Sequence, residues 1–310
     1  MWRTWVGIWS KEERPSVLAV VRILVAVVIL ADFATIHHLG LIEVLFTPQE
    51  IGGLPDVSDR NPVPELYRWF TATPAVAHGA WGAVMLSATC FGLGLLTPLS
   101  GAVLVLVYAQ LAQVLPLGDR GIDMMLRNIV CILSFSACGR VWGLDAVLFG
   151  RRDVAPAWPR HLIVLQVAAM YFLAGIQKLA LSWTPVGGYS ALYLILQDPS
   201  IARHDFGWLR DVYPLTQLAS LMTVCFEYTA CLIPLVYWFR ATRERPGRLR
   251  AWFNRVQPIR YWLSVGVLLH LGIAATMALG IFPWAMLALY PAFFHPEELR
   301  RGPPTSGPSA

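Results

Sequence analysis

Long apolar runs separated by shorter polar segments dominate the chain. Eight of them are candidate membrane spans, namely 17–39, 74–96, 98–117, 121–142, 161–181, 215–239, 258–279 and 281–295. A spanning helix needs ~20 mostly apolar residues. Backbone groups in hydrocarbon must be paired within their own segment, and these runs lack the every-second-residue alternation of barrel strands. The pattern therefore predicts an all-α fold, a polytopic integral membrane helical bundle of about eight transmembrane helices.

Composition agrees with a membrane-embedded chain. Hydrophobic residues make up 56% of the 310 positions and charged residues 14%, whereas a soluble domain carries roughly 25% charged residues. Two of the runs are weaker than the others. The run 121–142 has Asp123 and Arg127 near its start, and the run 281–295 is short for a full crossing.

The distribution of charge predicts the orientation. Arginines concentrate before position 17, between 140 and 160, in the loop 240–260 and after 299, whereas the acids collect in the loops 40–73 and 182–214. Basic residues stay on the cytoplasmic side during insertion, so we expect both termini to be cytoplasmic and both long loops to lie outside. The loop 240–260 would also suit anionic lipid or a protein partner. Orientation accounts for the net charge of +5, so membrane lipids are expected partners and nucleic acid is not.

The remaining composition predicts one domain and a tail. The runs place a membrane domain at 1–295, and the Pro-, Gly- and Ser-rich segment 296–310 is predicted to be disordered. The five cysteines match no zinc-ligand spacing, so no metal site is expected.

Charged side chains within apolar runs are the main functional signal. Each costs about 2.5–3.5 kcal/mol at the bilayer centre on insertion scales, and such residues tend to face the bundle interior. The stretch "YFLAGIQKLALSW" places Lys178 near the end of an apolar run, with Tyr171 and Gly175 on the same helix face. A glycine there would let another backbone or a flat ring come close. Glu227 and His270 are also expected to face the interior and to contact other spans.

Two interpretations of Lys178 follow from the residues. In one, the lysine extends along the helix toward the interface near Trp183, five residues away. In the other, it is a desolvated amine that serves as a general base, because burial disfavours the ammonium form of an amine. The residues alone leave both open.

A resemblance bears on this choice. The stretches "LQVAAMYFLAGIQKLALSW" and "GGYSALYLIL" resemble the core signature of the HTTM family, the bacterial relatives of the membrane domain of vitamin K-dependent gamma-carboxylases. "FTPQEIGGLPD", "ACGRVWGLDA" and the closing run through His270 and Tyr290 are similar to further parts of that domain, in the same order.

The resemblance implies a membrane enzyme. Lys178 matches the carboxylase lysine that deprotonates a quinol, and we take it as the candidate base. The other candidate catalytic residues are Tyr171, His270 and Glu227, and the candidate quinol pocket is formed by Gly175 and Trp183. The cofactor implied is a lipid quinol similar to vitamin K, the partner is a secreted peptide substrate, and the location is the bacterial inner membrane.

Two departures from the carboxylase pattern shape the expected reaction. Arg140 stands where the carboxylases have a histidine, and Gln177 stands where they have a second lysine. We therefore expect a related reaction on a quinol or peptide rather than glutamate carboxylation itself. The alternative is a non-catalytic membrane factor for maturation or export of a secreted peptide. A transporter has less support, since no repeated pair of broken helices is visible.

Overall fold

The structure, a computed structural model, describes residues 2–57 and 63–298. The chain divides into two compact units, one formed by the described parts of 1–160 and 294–310 and the other by 161–293. Both are helical, apart from a two-stranded antiparallel sheet in the first unit. The disordered tail predicted for 296–310 lies outside the described residues from position 299 onward.

The first unit is built on four packed helices. Its elements in chain order are α1 Trp2–Ser10, β1 Glu12–Glu13, α2 Ser16–His38, α3 Ile42–Phe46, α4 Glu65–Trp69, α5 Pro74–Leu93, α6 Thr97–Val114, α7 Gly121–Ser134, α8 Leu144–Leu148 and β2 Ala155–Pro156. Helix α2 packs on α5 and α7, and α6 packs on α5 and α7. The side chains between them are apolar and fully buried, for example Ile29, Phe91, Leu104 and Leu126.

Two buried charged side chains in the first unit hold turns. Arg22 of α2 is fully buried and donates to the carbonyls of Cys138 and Trp142. Asp145 accepts from the backbone N–H groups of Leu96 and Thr97, at 2.7 and 2.8 Å, and so caps the start of α6. Both side chains satisfy backbone groups that would otherwise be left unpaired.

The second unit carries the remaining helices. They are α9 Trp158–Ile176, which begins at the end of the first unit, α10 Ala191–Leu196, α11 Tyr213–Thr229, α12 Ile233–Ala241, α13 Arg248–Val256, α14 Pro258–Thr276 and α15 Phe282–Leu289. Short 3-10 turns lie at Leu181–Trp183, Gly207–Val212, Ala230–Leu232 and Tyr290–Phe293. Helix α14 packs on both α11 and α15.

Six helical segments among the described residues are long and apolar enough to cross a membrane. They are Ser16–His38, Pro74–Leu93, Thr97–Val114, Trp158–Ile176, Gly207–Ala241 and Pro258–Thr276. Each overlaps one of the predicted spans, so the prediction of an all-helical membrane protein is confirmed. The other two predicted spans, 121–142 and 281–295, correspond to the shorter helices Gly121–Ser134 and Phe282–Phe293.

Three predicted spans end or break for identifiable reasons. The helix in 121–142 stops at Ser134, because the Ser136 hydroxyl donates to the Leu133 carbonyl and accepts from the Cys138 N–H, which replaces helical bonding with a turn. The run 215–239 lies in a longer helical segment that tightens at Ala230–Leu232, just before Pro234, which has no N–H to donate. In 281–295 the α-helix ends at Leu289 ahead of Pro291.

Candidate functional site

Lys178 lies just beyond a helix, not inside one. The predicted span 161–181 is helical only to Ile176, so its end was predicted five residues too late. The Gln177 N–H still bonds to Leu173 four residues back, but the Lys178 N–H bonds to Gly175, which marks a tighter final turn. The ammonium group meets a carboxylate at this point, which offsets the cost of placing a charge beside apolar helices.

That carboxylate belongs to Glu227 of α11. Lys178 Nζ donates to Glu227 Oε1 at 2.6 Å, and the two side chains are 19% and 9% exposed. The ring centroid of Trp183 lies 4.9 Å from the same Nζ, within cation–π range. Neither sequence interpretation of Lys178 included this carboxylate partner. The lysine is held by Glu227 and Trp183 together.

The second oxygen of Glu227 is unusual. Oε2 is buried and has no hydrogen-bond partner within the described part of the chain. A buried acceptor without a partner carries a desolvation penalty of about 1–3 kcal/mol or more. Such an atom is a candidate contact for a substrate or a water molecule.

Gly175 allows the two helices to meet. A Cβ at this position would lie 3.1 Å from Glu227 Cβ and 3.6 Å from the Tyr228 backbone nitrogen. Of the two neighbours expected for Gly175, a backbone or a flat ring, the structure shows the backbone of α11. The contact of Gly175 with a quinol remains a prediction.

A second polar group lies deeper in the unit. The Tyr171 hydroxyl is 2.5 Å from His270 Nε2 of α14 and 2.8 Å from the Tyr290 hydroxyl. All three residues are at most 5% exposed. His270 Nδ1 is buried and has no hydrogen-bond partner among the residues that the structure describes. The burial expected for Glu227 and His270 is therefore confirmed, as are their contacts with other elements.

Aromatic rings join the two polar groups. Phe226, the neighbour of Glu227, packs edge-on against Tyr171 with a centroid distance of 4.9 Å and stacks on Trp262 at 4.4 Å. Trp262 Nε1 in turn donates to the Phe226 carbonyl. Tyr171 and Gly175 thus share a face of α9 that contacts α11, as predicted. Lys178 lies beyond the end of α9 but still reaches α11 through Glu227.

Sequence reasoning assigned no site role to Phe226, Trp262 or Tyr290. A signal for one of them was available. Trp262, Gly266 and His270 are spaced by four residues and so share a face of α14. For Phe226 and Tyr290 the sequence contains no comparable periodic signal that points to Tyr171.

Comparison with known families decides the classification. The model of the HTTM domain matches residues 10–297, which is nearly the whole chain. The chain belongs to the HTTM domain family. This HTTM domain includes every candidate residue named above, from Tyr171 to Tyr290, and its match extends over both compact units. No solved structure matches the chain.

Family membership supports two general statements. The HTTM domain is a gamma-carboxylase-like membrane domain, and the apolar helices identify the chain as a membrane protein.

Proposed function

We propose that this HTTM protein is a membrane enzyme in which the Lys178–Glu227 pair accepts a proton from a substrate hydroxyl. One observation carries the proposal. The 2.6 Å contact between Nζ and Oε1 joins two largely buried side chains, and Oε2 of the same carboxylate is buried without a partner among the described residues. A buried pair that can exchange a proton, with one acceptor atom left over, is suited to general acid–base chemistry.

The pair can act through an internal proton shift. When the proton moves from Nζ to Oε1, the ion pair becomes a neutral amine and a carboxylic acid, which a low-dielectric region disfavours less than separated charges. The neutral amine of Lys178 is then a base for a substrate hydroxyl. With the proton on Nζ, the ammonium group stabilises the oxyanion that remains.

The use of lysine at this position supports the proposal. The sequence has 24 basic residues, and only Lys11 and Lys178 are lysines. Arginine would keep the positive charge and could pair with Glu227, but it does not release its proton in proteins. An amine is therefore present where proton release would be needed, in a chain that otherwise uses arginine.

The residues fit a lipid quinol as the proton donor. Glu227 Oε2 can accept a hydrogen bond from a phenolic hydroxyl, and the indole of Trp183 offers a flat apolar surface beside Lys178. We infer that Lys178, Glu227 and Trp183 would hold its head group. When bound, the quinol would supply an acidic hydroxyl and two-electron redox chemistry.

The expected topology would place the substrate side outside the cell. With eight spans and both termini cytoplasmic, the loops 40–73 and 182–214 would face outward in a bacterial inner membrane, where a secreted peptide could reach them. Helix α10, Ala191–Leu196, lies within the second loop and packs on α11. This topology is part of the proposal.

A second candidate function rests on the same ion pair. Lys178 and Glu227 neutralise each other, which is what a structural pair between a helix end and α11 would also require. That arrangement suits a non-catalytic factor for maturation or export of a secreted peptide, which would bind its client through the outer loops.

One substitution separates the two candidates. The Lys178→Arg protein keeps the charge and its partner but has no releasable proton. We expect it to accumulate in the membrane at the wild-type level and yet to fail to restore the phenotype caused by deleting the gene. The matched control is Lys11→Arg, which changes the only other lysine and should restore it fully. Full restoration by Lys178→Arg would exclude the general base and favour the non-catalytic factor.

A further inference from the structure

An open pocket in the first unit has no part in the proposed chemistry. The free space within it is about 490 Å³, which includes the part open to solvent. Phe33 and Ile36 of α2, Leu111 of α6 and Leu115 line it with apolar side chains. Asp32 and Arg120 supply charge at the same wall. The pocket is therefore amphipathic, with a large apolar part and a small charged part.

Arg120 is already committed to carboxylates. Its Nε and Nη2 donate to the two oxygens of Asp123 at 2.7 and 2.9 Å, and Nη2 also donates to Asp32 Oδ2 at 2.6 Å. Burial opposes its charge, but the bonds to Asp123 and Asp32 outweigh that effect and raise the pKa of Arg120. The guanidinium thus stays charged and is shared between two acids.

Among the residues that the structure describes, the network has one carboxylate in excess. Arg127 forms a bidentate pair with Asp119, at 2.7 Å for both bonds. The charge of Asp119 is therefore balanced by Arg127. Asp123 takes the paired bonds of Arg120 and also accepts from the Tyr108 hydroxyl at 2.6 Å. Two arginines therefore face three aspartates, and Asp32 shares its cation.

Asp32 also has an oxygen to spare. Only its Oδ2 is bonded in the described part of the chain, and the side chain is 14% exposed. Oδ1 has no hydrogen bond among the described residues, and it is not fully buried. It is therefore accessible to a ligand. Because Asp32 lines the pocket, the accessible acceptor and the surplus negative charge lie at the pocket wall.

We propose that this pocket binds an apolar compound that carries an ammonium group, with Asp32 as its counter-ion. The apolar walls bury the hydrocarbon part of the ligand, and Oδ1 accepts a charge-assisted hydrogen bond from the ammonium. An anion that approached Arg120 would be repelled by the three nearby carboxylates. The net negative charge of the pocket wall therefore favours a cation. The ammonium comes either from the first residue of a peptide or from a non-peptide amine.

The test uses the intact protein in nanodiscs of zwitterionic lipid at about pH 6, where an α-amino group is protonated. Three probes are titrated by calorimetry, with empty nanodiscs as the blank. Phenylalaninamide carries a free amine on a peptide-like group, N-acetylphenylalaninamide lacks that charge, and phenethylamine lacks the carboxamide. We expect phenylalaninamide to bind at least about tenfold more tightly than its acetylated form.

Phenethylamine separates the two sources of the ammonium. Binding equal to that of phenylalaninamide indicates recognition of amines in general, and clearly weaker binding indicates a peptide amino terminus. Both results support the pocket. Equal binding of the acetylated and free amines, or binding of neither amine above the blank, would overturn it.

Variants locate the binding. Asp32→Asn keeps an acceptor for Arg120 but removes the surplus charge, and it should weaken phenylalaninamide binding at least about tenfold. Asp153→Asn is the matched control, because Asp153 also pairs with an arginine but is exposed and lies outside the pocket lining. If Asp32→Asn does not fold, Ala112→Phe fills the pocket from its apolar wall and should abolish binding. Unchanged phenylalaninamide binding in folded Asp32→Asn or in folded Ala112→Phe contradicts the assignment of the ligand to this pocket.

Discussion

At the scale of single residues, Tyr171 shows how one hydroxyl stabilises the second unit. It bonds to His270 of α14 and to Tyr290 after α15, while its ring packs on Phe226 of α11. Four segments distant in the sequence thus meet at one phenol. In an apolar environment each of these polar groups has few other partners, so their bonds are retained once the helices pack.

We predict that Tyr171→Phe lowers the free energy of unfolding by about 1–2 kcal/mol, because it leaves His270 Nε2 and the Tyr290 hydroxyl without their shared partner. Thermal unfolding of the purified protein in detergent measures the effect. Tyr261→Phe is the control, since Tyr261 is 66% exposed and lies on α14, the helix that carries His270. Equal melting temperatures for Tyr171→Phe and the wild type would show that the hydroxyl contributes nothing to stability.

At the scale of helices, glycines set how closely the elements approach. Gly266 of α14 lies against Tyr290 and Phe226, and a Cβ there would lie 2.9 Å from Phe226 Cζ and even closer to the Tyr290 hydroxyl. Gly272, on the same helix, has nothing within 4 Å of its Cβ position. An alanine at Gly266 therefore changes both packing and helix propensity, whereas an alanine at Gly272 changes helix propensity alone.

Gly266→Ala should destabilise the protein by about 1–3 kcal/mol through overpacking. Gly272→Ala should leave stability unchanged or raise it slightly, because alanine is the better helix former. Chemical denaturation followed by tryptophan fluorescence compares the two. If both substitutions change the free energy of unfolding equally, the close packing of Gly266 against Tyr290 is contradicted.

The existence of most helices could be predicted from the sequence, but their ends could not. Helices form where an apolar run is long enough to cross a bilayer. Six of the predicted spans correspond to helices of sufficient length among the described residues. The ends depend on local bonds that composition hides. The Ser136 hydroxyl ends α7 eight residues before the predicted limit of its span, and the turn at Lys178 shortens α9 although no proline or glycine follows directly.

The candidate site was predictable only in part, for a related reason. Helical spacing correctly placed Tyr171 and Gly175 on one face of α9, because that information is local, whereas Lys178 lies beyond the end of the helix. The partner of Lys178 lies 49 positions away, and the partner of Arg120 in α2 lies 88 positions away. A single sequence shows that Glu227 and Asp32 are costly in apolar runs, but it does not show which cation meets each of them.

At the scale of the whole molecule, the arginine distribution leads to a topology that can be measured. In a background without the native cysteines, we predict that an impermeant thiol reagent labels Ser200→Cys in intact cells. It should label Ser10→Cys and Ser306→Cys only after the cells are opened, because both termini are expected to be cytoplasmic. Labelling of either terminal cysteine in intact cells would refute this orientation, and with it the outward position of the loop 182–214.

Proton transfer at the Lys178–Glu227 pair is tested most directly by the absorption spectrum of a bound naphthol, which has the phenolic hydroxyl of a quinol but does not take part in its redox chemistry. The protein is saturated with naphthol at a pH at which free naphthol is neutral. We predict that the wild type shows the naphtholate band, because the pair accepts the hydroxyl proton, and that Lys178→Arg binds naphthol without this band. A bound naphthol that keeps its neutral spectrum in the wild type would contradict the proposed role of the pair.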